Sequence, residues 1–232
     1  QNQNALEPHA TIAIWEDEDH LLVLESTQFV DGLKHQLAHV FDLKPDNVRV
    51  VSPFVGGGFG GKVALWSYTV LCAAVAQVTG RPVKLVLSRE GVFRLVGGRT
   101  LAEQRVALGA DSDGALTALI HTGTTATTTH ARYPEQFSLT SRHLYAAKNL
   151  HSGQDVVNLD TVANTWMRAP GDAMATYALE AAVDELSYAM QIDPIELRRR
   201  NEPTQDPTTG APFSSRHLLE CYARGAEAFG WS

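Results

Sequence analysis

Five glycines and one phenylalanine crowd into Gly56-Gly57-Gly58-Phe59-Gly60-Gly61-Lys62, between a strand pattern and a helix pattern. Upstream, Val48-Arg49-Val50-Val51 reads as a buried strand. Downstream, Val63 to Val78 reads as one long helix, apolar nearly all round and therefore expected to be buried. Glycine lets the backbone take positive φ and lets a ligand lie against main-chain N–H groups, so a loop in this place suits something anionic. A plain turn would not need so many glycines, because each one adds conformational entropy that folding must remove.

By pattern, Gly56 to Lys62 fits G-x-x-x-x-G-K, the opening of a nucleotide-phosphate loop, with a strand before it and a helix after it. The next residue in that motif is Ser or Thr, which holds Mg²⁺; here it is Val63. No later apolar strand ends in the aspartate that would complete the metal site, since Val83 to Leu87 runs into Ser88-Arg89-Glu90. A nucleotide-binding protein therefore stays on the table only without its metal site. A scaffold that keeps the fold and binds no cofactor is the other alternative.

Composition narrows the field further. The 232 residues are enough for a substantial core, and 44% apolar with 19% charged residues is globular rather than disordered. A net charge of −7 leaves no basic face for phosphates, which argues against nucleic-acid binding. Arg198-Arg199-Arg200 is the one basic run, and it closes a short helix pattern where it complements the helix dipole. Two cysteines, Cys72 and Cys221, lack metal-ligand spacing, so neither a cysteine-ligated cluster nor a zinc finger is expected. They leave the compartment, cytoplasm or periplasm, open. No membrane span is expected from the hydropathy pattern.

Along the chain, Ala10 to Trp15 and His20 to Leu24 read as strands joined by an acidic turn, and Phe29 to Phe41 follows helical spacing. With the Val48 strand, the loop, its helix and the Val83 strand, this is an α/β arrangement. Gln104 to Ala110 and Leu116 to Thr129 suggest a hairpin around Asp113-Gly114, with its many threonines on an exposed strand. Residues 130–155 read as loop, and Val156 to Val162 as a further strand. From Asp172 the pattern is helical, with Asp193-Pro194-Ile195-Glu196 as a capped start and Ser214 or Ser215 capping a last helix. The expected division is 1–170, strand-rich and carrying the loop, and 171–232, helical.

Four segments, in order, resemble the molybdenum hydroxylases of the xanthine dehydrogenase/aldehyde oxidase family. They are Leu6-Glu7-Pro8-His9-Ala10-Thr11, the glycine loop, Met167-Arg168-Ala169-Pro170-Gly171, and Asp193-Pro194-Ile195-Glu196-Leu197-Arg198 with Asn201. The resemblance implies a mixed α/β (α+β) fold, the molybdopterin-binding region of a large subunit, of which this chain is a fragment. It implies a molybdopterin cofactor with molybdenum, in bacteria commonly the cytosine dinucleotide form. The implied activity is hydroxylation of aldehydes or N-heteroaromatic compounds with water as the oxygen source. Implied partners are the remainder of the large subunit, an iron–sulfur subunit with 2Fe-2S clusters, an FAD subunit and a small-molecule substrate.

Carried over by position, Gln1 matches the glutamine whose amide bonds a molybdenum oxygen ligand. Phe59 with Gly57, Gly58, Gly60 and Gly61 matches the loop whose backbone approaches the metal ligands, and Arg168 matches the arginine beside the metal. The resemblance thus puts Gln1, Phe59 and Arg168 near molybdenum, with Phe59 and Arg168 close in space. The surface alternative for Arg168 is an ordinary salt bridge. Two positions depart from purine-oxidising members: Val63 stands where they carry glutamate, and Pro170 where they carry phenylalanine. The family's general base is a glutamate in a Gly-Glu motif far down the subunit, and this chain has no Gly-Glu pair. No catalytic residue is therefore assigned here, and the isolated chain is expected to lack hydroxylase activity. His9, His121, His130, His143, His151 and His217 are candidates by type only.

Overall fold

The computed structural model describes residues 1–231, and the chain falls into two compact units. The first comprises residues 1–100, 127–133 and 158–168. Its sheet has the order β3-β2-β1-β4, formed by β1 (Ala10–Trp15), β2 (Leu21–Glu25), β3 (Val48–Val51) and β4 (Val83–Val86). β1 pairs antiparallel with both β2 and β4, while β2 and β3 run parallel, with Leu21 opposite Val48. The parallel pair needs a crossover, and α1 (Val30–Val40) provides it. Alternation along the strands sends Ala13, Leu21, Val23, Val48 and Val50 to one face. There they form one core with Leu33 and Leu37 of α1 and Cys72, Ala73 and Ala76 of α2 (Ser67–Thr79). A short helix, α3 (Arg89–Leu95), is capped by Ser88 Oγ, which accepts the Gly91 N–H at 3.0 Å.

The structure corrects two readings of α2. The helix begins at Ser67, not Val63, because residues 62–66 are tied into the loop: Trp66 Nε1 donates to the Gly61 carbonyl at 2.7 Å. Only its small-residue stripe faces the sheet. Leu71, Val75 and Val78, spaced on the other side, are exposed in this chain, Val78 at 88%.

The second unit comprises residues 101–126, 134–157 and 169–231 of the described chain. The hairpin of β5 (Ala102–Ala110) and β6 (Leu116–Thr127) therefore groups with the helices, although sequence order sets it beside the first strands. Its turn is held by Asp111 Oδ1, which accepts the N–H groups of Asp113 and Ala115. After the single turn α4 (Ser141–Leu144), β7 (Asn149–Asn158) completes a three-stranded sheet of order β5-β6-β7. The expected strand at Val156 to Val162 is thus displaced toward the N-terminus. β7 is polar over most of its length, so no apolar alternation marked it. The threonine reading is also corrected: Thr125, Thr127 and Thr128 are buried, and Thr127 Oγ1 accepts the Tyr133 N–H.

Helices α5 (Asp172–Met190), α6 (Pro194–Arg200) and α7 (Leu218–Phe229) follow. Leu179, Val183 and Leu197 join Leu116, Leu119 and Tyr145 in this unit's core. Asp193 caps α6 as read, its Oδ1 accepting from Ile195 and Glu196 N–H at 2.9 Å each. Buried Asn201 then ties α6 to the hairpin turn: Oδ1 accepts the Leu116 N–H at 2.7 Å, and Nδ2 donates to the Gly114 and Leu197 carbonyls. The residue before α7 is His217, with no side-chain cap, so neither Ser214 nor Ser215 plays the expected role. No described helix is long and apolar enough to cross a membrane.

Candidate functional site

The lysine that a phosphate loop would aim at its ligand points into the fold. Its side chain is 0% exposed, and Nζ donates to Glu7 Oε2 at 2.7 Å and to Ser26 Oγ at 2.8 Å. Ser26 Oγ donates onward to the same carboxylate oxygen, which also accepts the Gly56 N–H. Burial pushes the Glu7 carboxyl up, but the bonds from Lys62, Ser26 and Gly56 outweigh it and lower its pKa to about 2. Lys62 thus neutralises an internal carboxylate and is not presented to a phosphate. The nucleotide-binding alternative loses its cation as well as its metal site.

The glycines are needed for close packing. Gly60 has φ +95°, and a Cβ there would stand 2.3 Å from the Trp166 carbonyl oxygen, so the segment before Arg168 lies directly on the loop backbone. A Cβ on Gly58 would meet the Gln28 side chain at 2.3 Å. Behind the loop, His9 Nε2 donates to the Gly61 carbonyl at 3.0 Å, since a carbonyl can only accept. Burial is the main cause holding the His9 pKa low, and its Nδ1 has no partner among the described residues.

Most loop N–H groups are already engaged. Gly56 donates to Glu7, Gly60 and Lys62 to Gln28 Oε1, and Gly61 to the Gly58 carbonyl. Three consecutive donors, on Gly57, Gly58 and Phe59, have no acceptor among the described residues. Phe59 itself sits at φ +53°, a left-handed conformation a non-glycine residue seldom adopts, and it is 44% exposed. Such strain collects at functional positions.

The structure brings Phe59 and Arg168 together as expected: the Arg168 N–H donates to the Phe59 carbonyl at 3.0 Å. The Arg168 guanidinium is exposed and has no hydrogen bond or ion pair among the described residues, so no salt bridge within them accounts for it. Gln1 joins the same group through Arg99, whose backbone N–H donates to the Gln1 carbonyl at 2.9 Å and whose guanidinium donates to the Arg168 carbonyl at 2.5 Å. Sequence reasoning passed over Arg99, Gln28 and Gln3, whose Nε2 donates to the Trp166 carbonyl at 2.7 Å. A signal existed for Arg99, which follows a second glycine pair, Gly97-Gly98. None existed for Gln28. His121 lies in a core, between Ser141 Oγ and Gln104 Oε1, and burial lowers its pKa. His143 and His217 face Asp206 and Glu220, and His130 and His151 are exposed. Among the described residues, no group of three or more His, Cys, Asp or Glu is arranged to hold a metal ion.

A glycine loop with unpaired amide donors, hydrogen-bonded to the backbone of an arginine whose guanidinium is also unpaired among the described residues, has the donor chemistry that suits an anionic group. The chain belongs to the molybdopterin cofactor-binding domain family, whose profile matches residues 1–202. The aldehyde oxidoreductase molybdenum-binding subunit PaoC of Escherichia coli K12 is 39% identical over all 232 residues, which span 31% of that subunit. Indole-3-acetaldehyde oxidase of Zea mays is 30% identical over 204 residues, 84% of this chain and 15% of that enzyme. Among solved structures, the aldehyde oxidoreductase of Desulfovibrio gigas superposes with a TM-score of 0.89 at 24% identity, covering 99% of this chain and 26% of that one; it shares the fold.

Proposed function

We propose that the Gly57–Phe59 amides, Arg168 and Gln1 form the protein's contribution to the metal end of a bound molybdopterin. The whole protein is then an oxidoreductase acting on aldehydes or N-heteroaromatic compounds. One observation carries this reading: three N–H donors without an internal acceptor lie on the segment whose Phe59 carbonyl accepts the backbone N–H of Arg168, a residue whose guanidinium is itself unpaired among the described residues. Fixed N–H groups and a guanidinium fit an anionic group. When bound, the cofactor supplies a redox-active molybdenum centre, with water as the oxygen source. The chain's own share is to hold and orient: amides on one side, Arg168 as a positive charge on a backbone tied to Phe59, and the Gln1 amide as a hydrogen-bonding group. The base that moves the proton belongs to the part of the subunit outside this chain.

The similarity to the Escherichia coli aldehyde oxidoreductase subunit PaoC supports aldehydes as the substrate class. Val63 and Pro170 favour the same choice over purines. The cytosine dinucleotide form of the cofactor, and partner subunits carrying 2Fe-2S clusters and FAD, belong to this proposal. So does the division of cofactor-binding work between residues 1–170 and the helical segment 171–232. The test is molybdenum and pterin analysis of the full-length subunit with and without Arg168→Ala. Loss of one charge-assisted hydrogen bond, about 1.5–3 kcal/mol, should lower occupancy or rate roughly ten- to a hundredfold. A molybdenum-free wild type, or an Arg168→Ala protein with wild-type occupancy and rate, would overturn the assignment.

A further inference from the structure

We propose that Gln28 is the positioning residue of the glycine loop, deciding which loop amides remain open to the ligand; the ligand's identity rests on the reading above. Gln28 is an exposed residue between β2 and α1, next to buried Ser26 and Thr27, with nothing in its type or spacing to mark it. Its Oε1 accepts the Gly60 N–H at 2.9 Å and the Lys62 N–H at 3.2 Å. Its own N–H donates to the Lys62 carbonyl at 2.8 Å, beside the Thr27 hydroxyl at 3.0 Å on the same oxygen. Two N–H groups aimed at one side-chain atom fix the amide orientation, because Nε2 is a donor and could not take that place.

The Gly60 N–H and the Phe59 carbonyl belong to one peptide group. Gln28 holds one end of that plane, and the Arg168 N–H holds the other. A plane pinned at both ends cannot flip, which keeps Phe59 at φ +53° although that conformation is unfavourable for it. The same pinning engages the Gly60 and Lys62 donors internally, and Gly57, Gly58 and Phe59 are left without an acceptor among the described residues, with Gly58 buried and Gly57 half-buried. Gly58 completes the fit, since any side chain there would collide with Gln28. Gln28 acts through the loop and not on the ligand itself.

The experiment compares wild type, Gln28→Met and Gln28→Glu in the full-length subunit. Methionine keeps length and bulk without an oxygen acceptor, and glutamate keeps the acceptor. Hydrogen exchange of the 56–62 backbone is measured on cofactor-free protein, and molybdenum content on protein matured with cofactor. Gln28→Met should exchange at Gly60 and Lys62 about tenfold faster or more, with β1 and β2 unchanged, and its molybdenum content should fall several-fold. Gln28→Glu should restore protection in the cofactor-free protein. Wild-type exchange in Gln28→Met, faster exchange throughout the unit, or no restoration by glutamate would each overturn the proposal. If the wild type takes up no molybdopterin, the functional reading fails, while the exchange comparison still decides the role of Gln28.

Discussion

Gly60→Ala tests whether the loop and the arginine segment are one packed object. The new Cβ would stand 2.3 Å from the Trp166 carbonyl oxygen and 2.5 Å from its carbon. Both are backbone atoms, so no rotamer change relieves the clash. Holding alanine at φ +95° adds backbone strain of about 1–3 kcal/mol. Moving the Trp166 peptide also weakens the Gln3 bond to its carbonyl and the Arg168 bond to Phe59, at about 1 kcal/mol each. The expected loss is roughly 3–5 kcal/mol. Gly225→Ala is the matched control: it lies within α7 with no atom within 4 Å of the new Cβ, and should stabilise by about 0.5–1 kcal/mol. Urea unfolding of the full-length subunit, followed by fluorescence and by far-ultraviolet dichroism, reads both variants. If Gly60→Ala unfolds within about 0.5 kcal/mol of wild type, the packing argument is wrong.

Lys62→Met should destabilise by about 2–4 kcal/mol, because it strands the Glu7 carboxylate beside Ser26; adding Glu7→Gln should recover part of the loss in a double-mutant cycle. Asn201→Ala removes three buried hydrogen bonds and should cost about 2–4 kcal/mol, read as a lower urea midpoint; an unchanged midpoint would show that the α6-to-turn tie is dispensable. Acid should destabilise in two stages. His9 has a lowered folded pKa, so its contribution is complete above its unfolded value of 6.5 and declines as pH falls below it. Glu7, lowered from 4.5 to about 2, contributes above 4.5 and loses that contribution toward pH 2, by roughly 1–2 kcal/mol once its partial exposure is discounted. Melting temperature against pH should show both limbs, and Lys62→Met should flatten the lower one.

Local pattern was sufficient wherever a segment's neighbours along the chain decide its form. Alternating apolar residues located Ala10–Trp15 and Val48–Val51, the Asp113-Gly114 turn located the hairpin, and Asp193-Pro194 located the start of α6. Those signals arise from a period of two, from turn geometry and from a cap, all readable within a few residues. Motif order also placed Phe59 beside Arg168, which no local pattern could have done. What the tertiary structure decided is direction and pairing. Lys62 carries the same letter in a phosphate loop, yet here it turns inward because Glu7 and Ser26, far away in sequence, meet it there. Helix α2 starts late because Trp66 bonds back to Gly61, and it leaves an apolar face open in this chain. Gln28, Arg99 and Gln3 gain their roles only from what folds against them. A hydrogen bond between distant segments leaves no period in the sequence, because either partner alone is an ordinary polar residue.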